Sequence, residues 1–324
     1  MVKRFLSGFS VLLLLSMMMH SQSCCAQVKT FSVNSSSTKT ETVASKGTTS
    51  KGNFPVEKKK NDPVYKTGRT GLKPKKEPSV TKILHNQQWA LDNIQNNMVR
   101  IEGGVLKMGV AVQGGQGATD DNIPLHEVKL SPYYICKYEV TEEEWQLVMG
   151  ANPSDKSNGM MVSSSCPVDN ISWMDCQEFV KKLTQLTGIP FRLPTEAEWE
   201  FAARGGEEDP SVQYAGRSEI EDCGWYIGNS SRIKHPVGTK GANSFGLYDM
   251  TGNVREWVKD FYEKDYYSRS PEQDPQGPSK GDRHVVRGGS FNNQDDACAV
   301  TYRSYAAPDS KNKFTGLRLA YSAD

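Results

Sequence analysis

Two side chains near the C-terminus could take part in nucleophilic or metal chemistry. Ser290 follows two glycines in the stretch 286–293, and Cys298 lies eight residues after that serine. A cysteine thiolate is both a nucleophile and a ligand for soft metal ions. The chain contains no nucleophile elbow, P-loop or dinucleotide-binding fingerprint. The chemistry of this stretch must therefore be judged from the sequence that surrounds it.

The remaining cysteines and histidines do not have the spacing of a metal site. Five cysteines follow residue 26, and none of them forms a C-x-x-C pair. An odd number implies at least one thiol that is free or paired with another chain. The histidines in the same part of the chain are widely scattered. These residues are Cys136, Cys166, Cys176, Cys223 and Cys298, with His85, His126, His235 and His284.

Short strands and capped helices should position these side chains. The residues 98–109, 126–130 and 133–138 have the pattern of short strands separated by glycine or proline turns. Three polar residues, each followed by an amphipathic run, predict helix N-caps at Thr141, Ser172 and Thr195. Beyond residue 205 we expect long loops anchored by aromatic side chains. The pattern predicts an α+β fold with short strands, about three helices and much irregular structure.

Two N-terminal segments differ in composition from the rest of the chain. Lys3 and Arg4 precede an apolar run over 5–19, so residues 1–26 are predicted to be a signal peptide. Residues 27–90 are predicted to be a flexible tether, because 27–82 carry 13 Lys and Arg against 4 Asp and Glu and show almost no apolar periodicity. The folded domain is then 91–324.

The same segments predict location and exclude one class of partner. A cleaved signal implies an exported protein, periplasmic or at the cell surface, and no transmembrane helix is expected in the mature chain. Acylation of Cys24 after cleavage, giving a lipoprotein, is the alternative. Residues 83–324 carry a net charge of −10. This charge argues against nucleic-acid binding, which needs cationic contacts to phosphates.

Seven phrases in one order tie the folded part to a known family. The chain resembles the formylglycine-generating enzymes, also called sulfatase-modifying factors, and the resemblance implies their C-type-lectin-like α+β fold. The same phrases also have a structural explanation, in caps and glycine turns that maintain the fold. They are 98–109, 138–141, 167–173, 192–200, 245–257, 287–291 and 316–320.

The resemblance also implies a calcium site. Members of the family bind calcium partly through a Gly-Asn-x-x-Glu-Trp loop, which corresponds by position to 252–257. The implied ligands are the side chains of Asn253 and Glu256 and the carbonyl of Val254. Calcium accepts six to eight oxygen ligands in flexible geometry, which suits an irregular loop. The alternative is that both side chains hydrogen-bond to the loop backbone.

The copper chemistry of the family depends on two cysteines after the Gly-Gly-Ser phrase. Their positions correspond to Asn293 and Cys298. An amide cannot replace a thiolate as a ligand for copper(I), so the sequence argues against a copper site unless another cysteine completes the pair. Cys298 is then predicted to pack as a small apolar residue, and Ser290 and Cys298 are candidate catalytic residues only if the protein is an enzyme.

Two functions are compatible with these sequence features. The first is a binding or scaffold module without the standard formylglycine-generating activity, whose partner is a protein or a cell-envelope component. The second is a divergent oxidase that modifies a cysteine or another group in an exported protein. The missing cysteine favours the first.

Overall fold

The computed structural model of the protein describes residues 80–111, 118–154, 163–206 and 212–323. These residues belong to one compact unit, Lys73–Asp324. The predicted signal peptide and the predicted tether up to residue 79 lie outside the described residues, as does Cys24.

Short elements and long connections make up the fold. The helices are α1 Val80–Asn96, α2 Glu142–Met149, α3 Trp173–Thr187, α4 Glu196–Arg204 and the single turn α5 Ile220–Cys223. The strands are β1 Met98–Ile101, β2 Gly104–Met108, β3 His126–Leu130, β4 Tyr133–Cys136, β5 Arg255–Phe261, β6 His284–Arg287, β7 Ser304–Ala306, β8 Thr315–Leu317 and β9 Ala320–Ser322. The prediction of an α+β protein with short strands is confirmed.

The described strands form three small sheets. Their orders are β1-β4-β9, β2-β3 and β7-β6-β5-β8. The predicted strands on either side of Gly103 are present, but they pair with different partners, β1 with β4 and β2 with β3. Gly103 has φ +75°, and a Cβ there would lie 2.1 Å from the Leu130 carbonyl oxygen. Only glycine allows the chain to cross so close to that strand end.

The three predicted N-caps are confirmed as reciprocal capping boxes. Thr195 accepts a hydrogen bond from the Glu198 amide at 3.2 Å, and the Glu198 carboxylate accepts one from the Thr195 amide at 2.8 Å. Thr141 and Ser172 form the same arrangement with Glu144 and Asp175. Each cap satisfies amides that have no partner inside the helix and is worth about 1 kcal/mol.

The N-terminal helix α1 was not anticipated. It begins at Val80, so it crosses the boundary predicted between residues 90 and 91. Its buried positions Ala90, Leu91 and Ile94 pack on the domain, and Asn93 donates to the Glu144 carboxylate of α2 at 2.8 Å. The Lys-rich composition upstream hid this amphipathic pattern, because a composition average does not register which face a few apolar residues occupy.

Buried ion pairs connect strand β6 and several loops to the helices. Arg287 donates to Glu200 at 2.6 Å, and Arg303 donates to Glu196 at 2.7 Å, all four side chains being almost inaccessible. Lys234 is similarly buried between Glu142 and Asp169. Removing one partner of such a pair leaves an uncompensated charge and costs about 3–5 kcal/mol.

Candidate functional site

The loop after β6 holds the residues singled out for chemistry. Gly289 has φ +69°, and a Cβ at this position would lie 2.5 Å from the Cys298 sulfur. The backbone therefore crosses directly over the thiol, which requires glycine both for its conformation and for the close approach. This crossing brings Ser290, Asn293 and Cys298 together.

Asn293 closes the loop onto Ser290. The Ser290 hydroxyl donates to the Asn293 side-chain carbonyl oxygen at 2.7 Å, and the Asn293 amide donates to the Ser290 carbonyl at 2.9 Å. The Asn293 carbonyl in turn accepts from the Ile227 amide at 3.0 Å. Since the Ser290 hydroxyl donates to an amide oxygen and not to a base, this geometry does not activate it as a nucleophile.

Cys298 is a buried thiol. Its side chain has no exposed surface, and its sulfur lies 3.9 Å from the Ser290 carbonyl oxygen, which accepts the S–H. Burial raises the pKa of the Cys298 thiol to about 12, and the nearby carboxylates of Asp295 and Asp296 add to the increase. The thiol is therefore protonated at neutral pH and lacks the thiolate character of a reactive cysteine.

These residues do not fit copper(I). Two thiolates are needed, but one position is an amide engaged with Ser290 and the other is a buried neutral thiol. All five cysteines in the described part of the chain are free and buried. No step through copper follows from this arrangement.

The Asn253 side chain is fully occupied by protein groups. Its oxygen accepts from the His235 amide at 3.0 Å, and its nitrogen donates to the Glu139 carboxylate at 2.7 Å. Asn253 has φ +55°, a left-handed conformation that asparagine tolerates better than most residues. This side chain does not fit a calcium ligand and instead holds the 235 and 253 loops together.

Glu256 is paired with an arginine. Both carboxylate oxygens accept from Arg318, the shortest distance being 2.7 Å, and one also accepts from the Trp199 indole at 2.7 Å. All three residues are buried. Glu256 on β5 is thereby joined to Trp199 on α4 and to Arg318 in the segment after β8. Val254, the third predicted ligand, is also buried, and its amide donates to Glu139 at 3.0 Å.

Two further carboxyl groups lie beside this pair. Burial, with repulsion from Asp249 and Glu256, raises the pKa of Glu139 well above its usual range. Burial also raises the pKa of Asp249 to about 6. One oxygen of Asp249 accepts from the Gly238 amide at 2.7 Å, while the other is buried without a hydrogen-bond partner. Carboxyl groups thus outnumber cations here, with Arg318 as the neighbouring cation, and burial favours the protonated form of Glu139.

Two of the carboxyl groups around Arg318 lie in or beside sequence phrases that had been noted for the family resemblance. Glu139 belongs to the phrase 138–141, and Asp249 lies just before the Gly-Asn loop, but both were treated as markers of the fold. Within the described ranges, no group of three or more His, Cys, Asp or Glu side chains is arranged to hold a metal ion. A calcium site would therefore need mainly backbone carbonyls, with Asp249 as the side chain whose buried oxygen has no hydrogen-bond partner.

No helix in the described part of the chain is both long enough and apolar enough to cross a membrane.

Comparison with curated proteins identifies relatives along most of the domain. The formylglycine-generating enzyme of Streptomyces coelicolor is 30% identical over 289 residues, which covers 70% of this chain and 89% of that protein. The chaperone protein LppX of Paenibacillus barcinonensis is 29% identical over 219 residues, covering 52% of this chain and 73% of LppX.

Solved structures share the fold. Treponema denticola variable protein 1 is 32% identical, with a TM-score of 0.63, covering 70% of this chain and 95% of its own. PvdO from Pseudomonas aeruginosa is 26% identical, with a TM-score of 0.61, covering 70% and 94%. The protein-family model of the sulfatase-modifying factor enzyme 1-like domain matches residues 87–323 of this chain. The chain therefore belongs to the sulfatase-modifying factor enzyme 1-like family and has its C-type-lectin-like α+β fold.

Proposed function

We propose that this chain is an exported binding or scaffold module that uses the family fold without the formylglycine-generating reaction. Its partner is a protein or a component of the cell envelope. Residues 83–324 carry a net charge of −10, so nucleic acid is not a suitable partner.

One observation carries the proposal. Where the resemblance requires the first thiolate, the chain has Asn293, and the Asn293 side chain is committed to the hydroxyl of Ser290 at 2.7 Å. The second position, Cys298, is protonated at neutral pH because it is buried. Neither a paired metal site nor a reactive thiolate is available in this loop.

The relatives support a role outside the reaction. LppX matches over 52% of this chain and is named a chaperone protein. The domain therefore occurs in proteins that are named for functions other than formylglycine formation, and the same use of the fold is open to this chain.

A divergent oxidase is the second candidate. It is favoured by Cys298, which lies at the position of the second cysteine of the family, and by the 30% identity to the Streptomyces coelicolor enzyme. In this alternative Cys298 acts on a cysteine or another group of an exported protein, with Ser290 in the site.

Mass spectrometry of a peptide substrate distinguishes the binding module from the oxidase. The purified protein is incubated with copper, a reductant and a sulfatase-type Cys-x-Pro-x-Arg peptide, and the peptide is examined for the aldehyde. We expect no conversion. The Streptomyces coelicolor enzyme serves as the positive control under the same conditions. Conversion that is lost in Cys298→Ala would overturn the proposal and establish the oxidase.

Calcium is proposed as a structural ion with a revised set of ligands. Asp249 replaces Asn253, because Asp249 has a buried oxygen without a partner whereas Asn253 has none. The Val254 carbonyl, further backbone carbonyls and waters would complete the donors, because both oxygens of Glu256 already accept hydrogen bonds from Arg318. We expect the melting temperature to fall in EDTA and to recover with calcium, and Asp249→Asn to abolish this response. A melting temperature that is indifferent to EDTA would remove calcium from the proposal.

A further inference from the structure

A cavity of about 210 Å³ lies between helix α1 and the body of the domain. It is separate from the 288–298 loop. Since one water occupies about 30 Å³ in the liquid, the space could hold roughly seven waters or a small organic group. Its lining includes Trp89 and Asn93 from α1, Tyr138 and Glu139 from the segment after β4, and Glu143 from α2.

The charge of the lining selects for a cation. Three glutamates line the cavity, and no Lys, Arg or His is found among its lining residues in the described part of the chain. A carboxylate or phosphate ligand would therefore find no cationic partner among these residues. The glutamates are Glu139, Glu143 and Glu144.

The hydrogen-bond partners of the three glutamate carboxylates limit which cations the cavity can bind. Glu139 is already engaged by Asn253 and the Val254 amide. Glu144 is engaged by Thr141 and Asn93. Glu143 is different. Its amide donates to the Ser164 carbonyl at 3.1 Å, while its carboxylate forms no hydrogen bond or ion pair with any group in the described ranges. One uncommitted carboxylate is too few for a hard metal ion, which needs six to eight oxygens.

The aromatic side chains at the cavity favour an organic cation over a metal ion. Trp89 is 47% exposed, an unusual position for the largest apolar side chain, and it stands at the cavity together with Tyr138. Aromatic faces attract organic cations through the ring quadrupole. A guanidinium group is planar, weakly hydrated and able to stack on a ring while donating two hydrogen bonds to one carboxylate.

We propose that this cavity binds a guanidinium group against its aromatic lining residues Trp89 and Tyr138, paired with the Glu143 carboxylate. The source of the group is either an arginine side chain of a partner or a small free guanidine. This inference does not rest on the proposed function, since the cavity would serve a binding module and an enzyme equally.

Isothermal titration calorimetry tests the proposal. The full-length protein is titrated with N-acetyl-arginine amide, with agmatine, and with N-acetyl-citrulline amide, a neutral isostere of the first. We expect the arginine derivative to bind and the citrulline derivative to bind at least about tenfold more weakly, because only the former is charged. Binding of agmatine as well would assign the site to any guanidine, whereas its failure would assign the site to arginine within a protein.

Two variants locate the binding. Glu143→Gln and Trp89→Ala should each weaken binding about fivefold, as expected for a partly exposed ion pair or cation–π contact. Glu219→Gln, an exposed glutamate outside the cavity lining, is the matched control and should bind as the unmodified protein does. Unchanged melting temperatures show that the variants are folded.

Three outcomes would overturn the proposal. They are equal binding of the arginine and citrulline derivatives, unchanged affinity in both Glu143→Gln and Trp89→Ala, and no heat at roughly 10 mM ligand. None of these depends on the peptide-oxidation assay, so failure of this proposal is distinguishable from failure of the proposed function.

Discussion

Asp260→Asn should stabilise the protein above neutral pH. Asp260 lies on β5 with 2% of its surface exposed, and its carboxyl group accepts a hydrogen bond from the Glu196 amide at 2.9 Å. Burial, with repulsion from the Glu196 carboxylate, raises the pKa of Asp260 to about 8. The folded protein therefore holds the proton that the unfolded chain releases near pH 4.

The sign of the effect follows from this difference. Stability is fully present when Asp260 is protonated in both states, below about pH 4, and it is lost as the pH rises toward 8. Between pH 5 and pH 9 the loss that this one group causes is roughly 4 kcal/mol. Asparagine has the same shape, keeps an oxygen for the Glu196 amide and does not ionise. The variant should therefore gain roughly 4 kcal/mol on the unmodified protein over this interval.

Urea denaturation at pH 5, 7 and 9 measures the gain directly. The quantity of interest is the difference in unfolding free energy between Asp260→Asn and the unmodified protein at each pH, because other titrating groups cancel. Asp265→Asn, at an exposed aspartate, controls for the loss of one negative charge. A difference that does not change with pH, or a variant that becomes less stable at high pH, would show that the folded protein does not hold a proton on Asp260, and would refute the reasoning.

Three further predictions concern the core and the loop. Arg318→Leu leaves Glu256 buried without its partner and should destabilise the fold by about 3–5 kcal/mol; a loss below about 1 kcal/mol in urea denaturation would contradict this. Thr195→Ala removes a confirmed cap and should cost about 1 kcal/mol in the same measurement, and no measurable loss would count against the cap. Cys298 should resist iodoacetamide in the native protein and react in urea; native labelling, located by mass spectrometry, would show that the thiol is accessible.

Local features of the fold were predictable because each depends on a few neighbouring residues. Thr141, Ser172 and Thr195 were predicted as caps from a polar residue and an acid three positions later, and all three form capping boxes. The residue types at Asn293 and Cys298 were sufficient to question a copper site. Helix α1 was not predicted, because its few buried residues follow a long polar segment.

The candidate site was only partly predictable, because burial is a property of the assembled chain. The sequence named Asn253 and Glu256, but it could not show that the first is saturated by His235 and Glu139 or that the second is paired with Arg318. Asp249 was missed for the same reason, since its unpartnered oxygen exists only once the surrounding loops have closed over it.

The sequence by itself determined the family, the order of most elements and the absence of a second thiol at position 293. The tertiary structure alone decided which side chains meet. It buried Cys298 beneath Gly289, which keeps the thiol protonated, and it placed the uncommitted carboxylate of Glu143 beside Trp89. Charge and reactivity depend on the dielectric and the partners around a group, and these are set by residues far apart in the chain.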